Sequence, residues 1–182
     1  MQRIRLNGRN KRIIIIAISI VICCICVLLD QITKNHFENL FNANYLTAER
    51  KNVVGEFFFF TLSANDGAGW SFLSGVSWAQ TFFKIITIIS IALMTFFFVY
   101  GVKNNSIWLQ ITMSIMIAGS LGNFIDRVAN GFVVDFIGLD FGEYIFPIFN
   151  IADICLTVGT IMAIFYLLFL DKNALFKKNE KN

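Results

Sequence analysis

Four stretches of this chain are apolar enough, and long enough, to cross a hydrocarbon core, which takes roughly 20 apolar residues in helical form. They run from about Ile13 to Thr33, Phe82 to Val102, Ser106 to Ile125 and Ile151 to Leu170. Backbone at that depth finds no water, so each stretch must satisfy its own N–H and C=O groups, and a helix does so within one segment. Charge agrees: 15% of the 182 residues are Asp, Glu, Lys or Arg, whereas a soluble domain carries about 25%. With one proline and 21 phenylalanines, little of the chain beyond its tails has a disordered composition. The expected class is an all-α polytopic membrane protein, with residues 1–182 forming one integral-membrane domain.

The first span has a basic leader, as a cleaved targeting segment would, but no small-x-small cleavage pattern follows it. Ile20-Val21-Ile22 before Cys23 also lacks a small residue. It is read as a retained span. Cys23, Cys24 and Cys26 in that span, and Cys155, read as packing or lipid-facing residues, since neighbouring cysteines on one helix point apart and cannot pair. Arg3, Arg5, Arg9, Lys11 and Arg12 precede the first span, Lys103 lies in the short link between spans two and three, and Lys172, Lys177, Lys178 and Lys181 follow the last. Basic flanks face the cytoplasm. Both termini are therefore expected inside, with outer loops at about 35–81 and 126–150. In the first of these, Val53 to Ser63 has strand composition. Its run Phe57-Phe58-Phe59-Phe60 reads either as a strand packed on the membrane surface or as a lipid-facing wall.

Ionisable groups in or beside an apolar core are costly and tend to mark function. Asp30 and Lys34 end span one; Asn123, Asp126 and Arg127 end span three; Asp135 lies in the loop that follows; Asp153 begins span four. In the topology above all lie at the outer face, and that convergence predicts one site. Asp30 and Lys34 are four apart and share a helix face, as do Asn123, Asp126 and Arg127; such pairs read first as structural. Asp135 in Val133-Val134-Asp135-Phe136 and Asp153 in Phe149-Asn150-Ile151-Ala152-Asp153 have apolar neighbours and no adjacent base. Two carboxylates in a poorly solvated place cannot both ionise cheaply. Such a pair can activate water with its ionised member and polarise a carbonyl with its protonated one. Spacing does not establish that the two meet.

Five motifs in order carry a resemblance. Asp30-Gln31-Ile32-Thr33-Lys34, Asn65-Asp66-Gly67-Ala68-Gly69-Trp70-Ser71, Gly122-Asn123-Phe124-Ile125-Asp126-Arg127, Val134-Asp135-Phe136 and Phe149-Asn150-Ile151-Ala152-Asp153 resemble the D-Q-x-[ST]-K, N-x-G-A, G-N-x-x-D-R, V-D-F and F-N-x-A-D segments of the bacterial lipoprotein signal peptidases. The match covers nearly the whole chain. Ser120 stands where a glycine is common, and Ile154 where a small residue is common. The resemblance implies four transmembrane helices with a small extracytoplasmic β-cradle. It implies an aspartyl endopeptidase of the bacterial cytoplasmic (inner) membrane, with its site at the outer face, that cuts diacylglyceryl-modified prolipoproteins before the lipidated cysteine. On it Asp135 and Asp153 become catalytic. Asn65, Gly67, Asn123, Asp126, Arg127 and Asn150 become groups that position the pair and the substrate backbone, and Asp30 and Lys34 supports at the site's edge. It implies no metal and no other cofactor, in keeping with the lack of a ligand cluster in the sequence. The expected partners are that substrate and membrane lipid, without nucleic acid, for a monomer.

The single histidine, His36, reads as an interfacial surface residue, and Asp140 and Glu143 as solvated loop acids. Trp70, Trp78 and Trp108 read as interface anchors. Two other readings stay open on the residues alone. A small proton-coupled transporter also uses membrane-embedded acids, though nearer the bilayer midplane, and a scaffold subunit would tolerate loss of both aspartates.

Overall fold

A computed structural model of the chain describes residues 8–46, 48–67 and 73–171. Helix α1 (Gly8–Leu40) is followed by strands β1 (Lys51–Val54) and β2 (Phe58–Asn65). Helices α2 (Ala79–Lys103) and α3 (Ile107–Ala129) come next, then β3 (Val133–Asp140), β4 (Ile145–Phe149) and α4 (Ile151–Phe165), which continues as a π-helical turn over Tyr166–Leu170. Four helices among the described residues are long and apolar enough to cross a membrane. Residues Arg3, Arg5, Lys172, Lys177, Lys178 and Lys181, and Ala68 to Ser71 of the second motif, lie outside the described residues.

The helices outrun the apolar stretches. α1 continues past Thr33 to Leu40 and α3 past Ile125 to Ala129. Hydropathy marks where side chains become polar, not where i→i−4 hydrogen bonding stops. The polar residues at these ends pair inside the protein, and Phe37 of the α1 extension and Phe41 just after it are buried against the sheet. α3 is the central helix, buried along much of its length, and packs against α1, α2 and α4. Elsewhere apolar side chains point outward, as Ile88 and Phe96 do on α2, which suits a lipid surrounding. The α2–α3 link is tight. Asn105 adopts a positive φ of 55°, a conformation asparagine tolerates, and the Ser106 hydroxyl caps α3 by accepting from Leu109 N at 3.3 Å.

The strands form one antiparallel sheet in the order β1-β2-β3-β4. Ser63 pairs with Asp135 and Asn65 with Val133, after a register shift between Phe60 and Ser63. The sheet's core is Phe37 from α1, Phe41 just after it, Leu62 from β2, and Val134, Phe136 and Ile137 from β3; the Phe37 and Phe136 rings stack with centroids 4.4 Å apart. The phenylalanine run is neither a membrane-surface strand throughout nor one lipid-facing wall. Phe58 and Phe60 pack on this core. Phe59 is buried beneath the Arg50 guanidinium, 4.0 Å above its ring, and Phe57 alone stays exposed, edge-on to Phe141. Alternation along a strand produces this split. Asp140 is not a free loop acid: it pairs with Arg50 and accepts from Gly142 N at 2.8 Å. The Arg50 contact holds its carboxyl below the usual range. His36 is exposed, with its ring edge-on to Phe37.

Gly119 and Gly122 let α3 approach its neighbours. A β-carbon on Gly122 would collide with the Asp30 carboxylate and press on Ala152, and one on Gly119 would collide with the Ala152 carbonyl. Small residues at such crossings are how membrane helices come close. Gly122→Ala is therefore expected to cost about 1–3 kcal/mol of overpacking, read as a fall of several degrees in the melting midpoint of the detergent-solubilised protein. An unchanged midpoint would mean that α1 and α4 are not held as closely to α3 as described.

Candidate active site

The site is assembled from four helix ends and the sheet. Lys34 of α1 is buried, and its Nζ lies 2.8 Å from Asp30 Oδ2 and 2.8 Å from Asp126 Oδ2. Each of those carboxylates also reaches another element. Asp30 Oδ1 accepts from Ala152 N at 2.8 Å, satisfying one of the free N–H groups in the first turn of α4. Asp126 Oδ2 accepts from Val134 N at 3.0 Å, beside β3's Asp135. Gln31 Nε2 donates to Asp126 Oδ1 at 3.0 Å and to Gly122 O at 3.3 Å. The i,i+4 spacing of Asp30 and Lys34 foretold their pairing; that Asp126 would join them was not visible in the spacing.

Asparagines connect this cluster to the two candidate acids. Lys34 Nζ donates to Asn123 Oδ1 at 3.1 Å, and Asn123 Nδ2 donates to Asp153 Oδ1 at 2.8 Å. Asn150 Nδ2 donates to Asp135 Oδ1 at 2.7 Å and to the same Asn123 Oδ1 at 3.0 Å. Asn65 Nδ2 donates to Asp135 Oδ2 at 2.9 Å. Asn150 and Asp153 form a reciprocal cap on α4. Asn150 Oδ1 accepts from Asp153 N at 2.9 Å, and Asp153 Oδ2 accepts from Asn150 N at 3.2 Å. The F-N-x-A-D spacing puts the cap residue and the third helical residue in the positions this box needs.

Asp135 and Asp153 thus share one hydrogen-bonded network and line one cavity of about 1050 Å³. Asp135 is 1% exposed. Burial, and then the negative charge of Asp153, push its carboxyl up to about 7, against the pull of the two amide donors. Asp153 sits in the first turn of α4, where the helix dipole favours an anion.

Arg127 lines the same cavity. Its Nη2 donates to Gly67 O at 3.1 Å, its guanidinium lies 5.1 Å from the Phe83 ring centre, and its Nε finds no partner among the described residues. Gly67 N in turn donates to Asn65 Oδ1 at 3.1 Å, so this loop is tied to both Asp135 and Arg127. All ten candidate residues therefore fall in one connected cluster.

Sequence reasoning did not single out Gln31, although it stands inside the first motif, nor the cavity walls from α2, Thr87, Ser90 and Met94. The latter look like ordinary residues of an apolar span and become visible only when three helices are placed together. Among the described residues no group of three or more His, Cys, Asp and Glu is arranged to hold a metal ion. The chemistry this arrangement supports is that of two carboxyl groups facing one cavity, with Arg127 in its wall.

The family model for signal peptidase (SPase) II matches residues 13–169. The chain is 38% identical to the lipoprotein signal peptidase of Staphylococcus carnosus (strain TM300) over 159 residues, covering 87% of this chain and 95% of that protein. Identity to the lipoprotein signal peptidase of Staphylococcus aureus (strain MRSA252) is 42% over 153 residues, covering 84% and 89%. The fold is similar to that of a bacterial membrane enzyme solved by the in meso method at 2.3 Å resolution, with a TM-score of 0.73 and 40% identity over 91% of this chain and 94% of that one. A second such structure, at 1.9 Å, gives a TM-score of 0.68 at 39% identity. The transporter and scaffold readings give way to an enzyme: this multi-pass bacterial membrane protein belongs to the signal peptidase II family.

Proposed function

We propose that this chain removes the signal peptide from diacylglyceryl-modified prolipoproteins, cutting before the lipidated cysteine, and that Asp135 and Asp153 activate the attacking water. The observation that carries the reading is the bridge Asp135–Asn150–Asn123–Asp153 in one cavity. Asp135 is assigned the proton because it is the more enclosed of the two, 1% exposed, while Asp153 opens in part to the cavity. Asp153, partly open to the cavity and at a helix N-terminus, is the base. Water loses a proton to Asp153 as its oxygen attacks the scissile carbonyl carbon, while the Asp135 proton bonds to the carbonyl oxygen. Collapse of the resulting diol breaks the C–N bond: the cysteine nitrogen leaves with the proton held by Asp153, and a diol hydroxyl returns its proton to Asp135.

Asn65 and Asn150 hold Asp135 by both oxygens. Asn123, with its oxygen fixed by Lys34, presents its amide N–H to Asp153. Arg127, in the cavity wall, and the loop at Gly67 position the substrate backbone, and Asp30, Lys34 and Asp126 hold the helix ends together. No metal or cofactor is invoked.

Residues 1–182 act as one integral-membrane domain and as a monomer, with lipid around the helices. The termini are cytoplasmic and the site lies at the outer face of the cytoplasmic membrane. There a lipid-anchored cysteine meets the dyad without its acyl chains entering water. The basic residues Arg9, Lys11 and Arg12 at the start of α1, and Lys103 at the α2–α3 link, support this orientation.

Cleavage of a diacylglyceryl prolipoprotein by the purified protein tests the reaction. Asp135→Asn and Asp153→Asn are each expected to lower the rate by about a thousandfold or more. In the parent, kcat/KM should fall as pH rises through about 7, because the acid member of the pair then loses its proton. Full activity in either folded variant would remove that residue from the chemistry. A rate rising through pH 7 would mean that the pair works with both carboxyls ionised, contradicting the need for a protonated member. Orientation is tested with an alkaline phosphatase that folds only outside the cytoplasm: fusion after Gly142 should be active and fusion after Asn105 inactive, and the opposite pattern would invert the topology.

A further inference from the structure

Beyond the two carboxylates the cavity continues along the helices, away from the sheet. Its deeper walls carry Thr87, Ser90 and Met94 from α2, Ser120 from α3, and Thr157 and Val158 from α4. At 1.5 Å per residue, Ser120 lies about 4.5 Å further along α3 than Asn123, and Thr157 about 6 Å further along α4 than Asp153. The Phe83 contact with Arg127 sets the N-terminal end of α2 beside the site. Long side chains on a helix lean toward its N-terminus, so Met94 rises toward the dyad. There Ser120 Oγ donates to Met94 Sδ at 3.9 Å. On its other side Met94 packs against the buried cluster of Leu109, Met113 and Tyr166. Met94 therefore separates the cavity from the bundle interior, while the serine and threonine walls above it are short. A glycine at position 120 would leave the thioether without this partner.

On the peptidase reading above, the chain that precedes the scissile bond belongs to the signal peptide, whose apolar segment returns into the bilayer. That is the direction in which the cavity runs. The lipidated cysteine, on the other side of the cut, keeps its acyl chains at the membrane surface. We propose that Met94, held by Ser120, is a specificity-determining residue: it is the floor that limits the size of the substrate side chain immediately before the cleaved bond. Methionine is long and flexible, so the limit is set by contact with a movable thioether and should respond to substitution in graded fashion.

The test uses the full-length protein in detergent with two diacylglyceryl prolipoproteins that differ only in the residue before the cut, alanine or leucine. The readout is the leucine-to-alanine ratio of kcat/KM. Met94→Ala should raise the ratio by about tenfold, on the scale of one or two methylenes in an apolar pocket. Met94→Phe should lower it, and Ser120→Gly should raise it less than Met94→Ala. Met94→Leu, close in volume, should leave it near the parent value and guards against a loss caused only by misfolding. An unmoved ratio in variants that melt like the parent overturns the assignment. So does a shift in preference for acyl-chain length in place of the residue before the cut, since the cavity floor would then meet lipid and not peptide. Cleavage by the parent with unmoved ratios leaves the peptidase reading standing; absence of cleavage by the parent overturns both.

Discussion

One ammonium group holds the helix ends of this protein together. Lys34 sits between Asp30 and Asp126, 2.8 Å from each, and all three side chains are buried. Charges in that setting are tolerable only when every lone pair has a donor. Here the spare oxygens accept from the backbone N–H groups of Ala152 and Val134 and from Gln31. Removing one partner of a buried pair costs roughly 3–5 kcal/mol. More to the point, it would release α1 from α3, α4 from α1, and β3 from α3. Each of these junctions lies within a few residues of a candidate catalytic group.

From that frame the geometry of the dyad follows through amides. Asn123 takes its orientation from Lys34 and passes it to Asp153, and Asn150 takes its place as the cap of α4 and passes it to Asp135. Amides suit this task because each presents both a donor and an acceptor without adding charge. The same network keeps the two carboxyl groups in different settings: Asp135 is enclosed by strand and core, while Asp153 is at a helix start beside open space. Two acids with unlike surroundings are what a division of labour between acid and base requires.

Much of this was legible in the chain. Four apolar runs gave four helices, because lipid leaves backbone few other ways to satisfy itself. The polar residues clustered as expected, because no other place in such a bundle could take them cheaply. Helix ends were less legible. α1 and α3 run on beyond their apolar stretches because Lys34, Phe37, Asp126 and Arg127 are buried by neighbours that only folding supplies. The phenylalanine run was ambiguous for a related reason: alternation divides Phe57 to Phe60 among surface, sheet core and a stack under Arg50, and composition does not record which face is which. The roles of Gly122, Gln31 and Met94 were hidden because each depends on contact between helices far apart in sequence.

The central claim is that two carboxyl groups direct water onto the peptide bond without either becoming bonded to the substrate. A single-turnover cleavage run in water labelled with oxygen-18, followed by mass analysis of both enzyme and products, tests it most directly. One labelled oxygen in the new carboxyl of the released signal peptide, and none in Asp135 or Asp153, is the expected result. Label in either aspartate would mean that a carboxylate attacks first and water follows, contradicting the proposed division between Asp135 as acid and Asp153 as base.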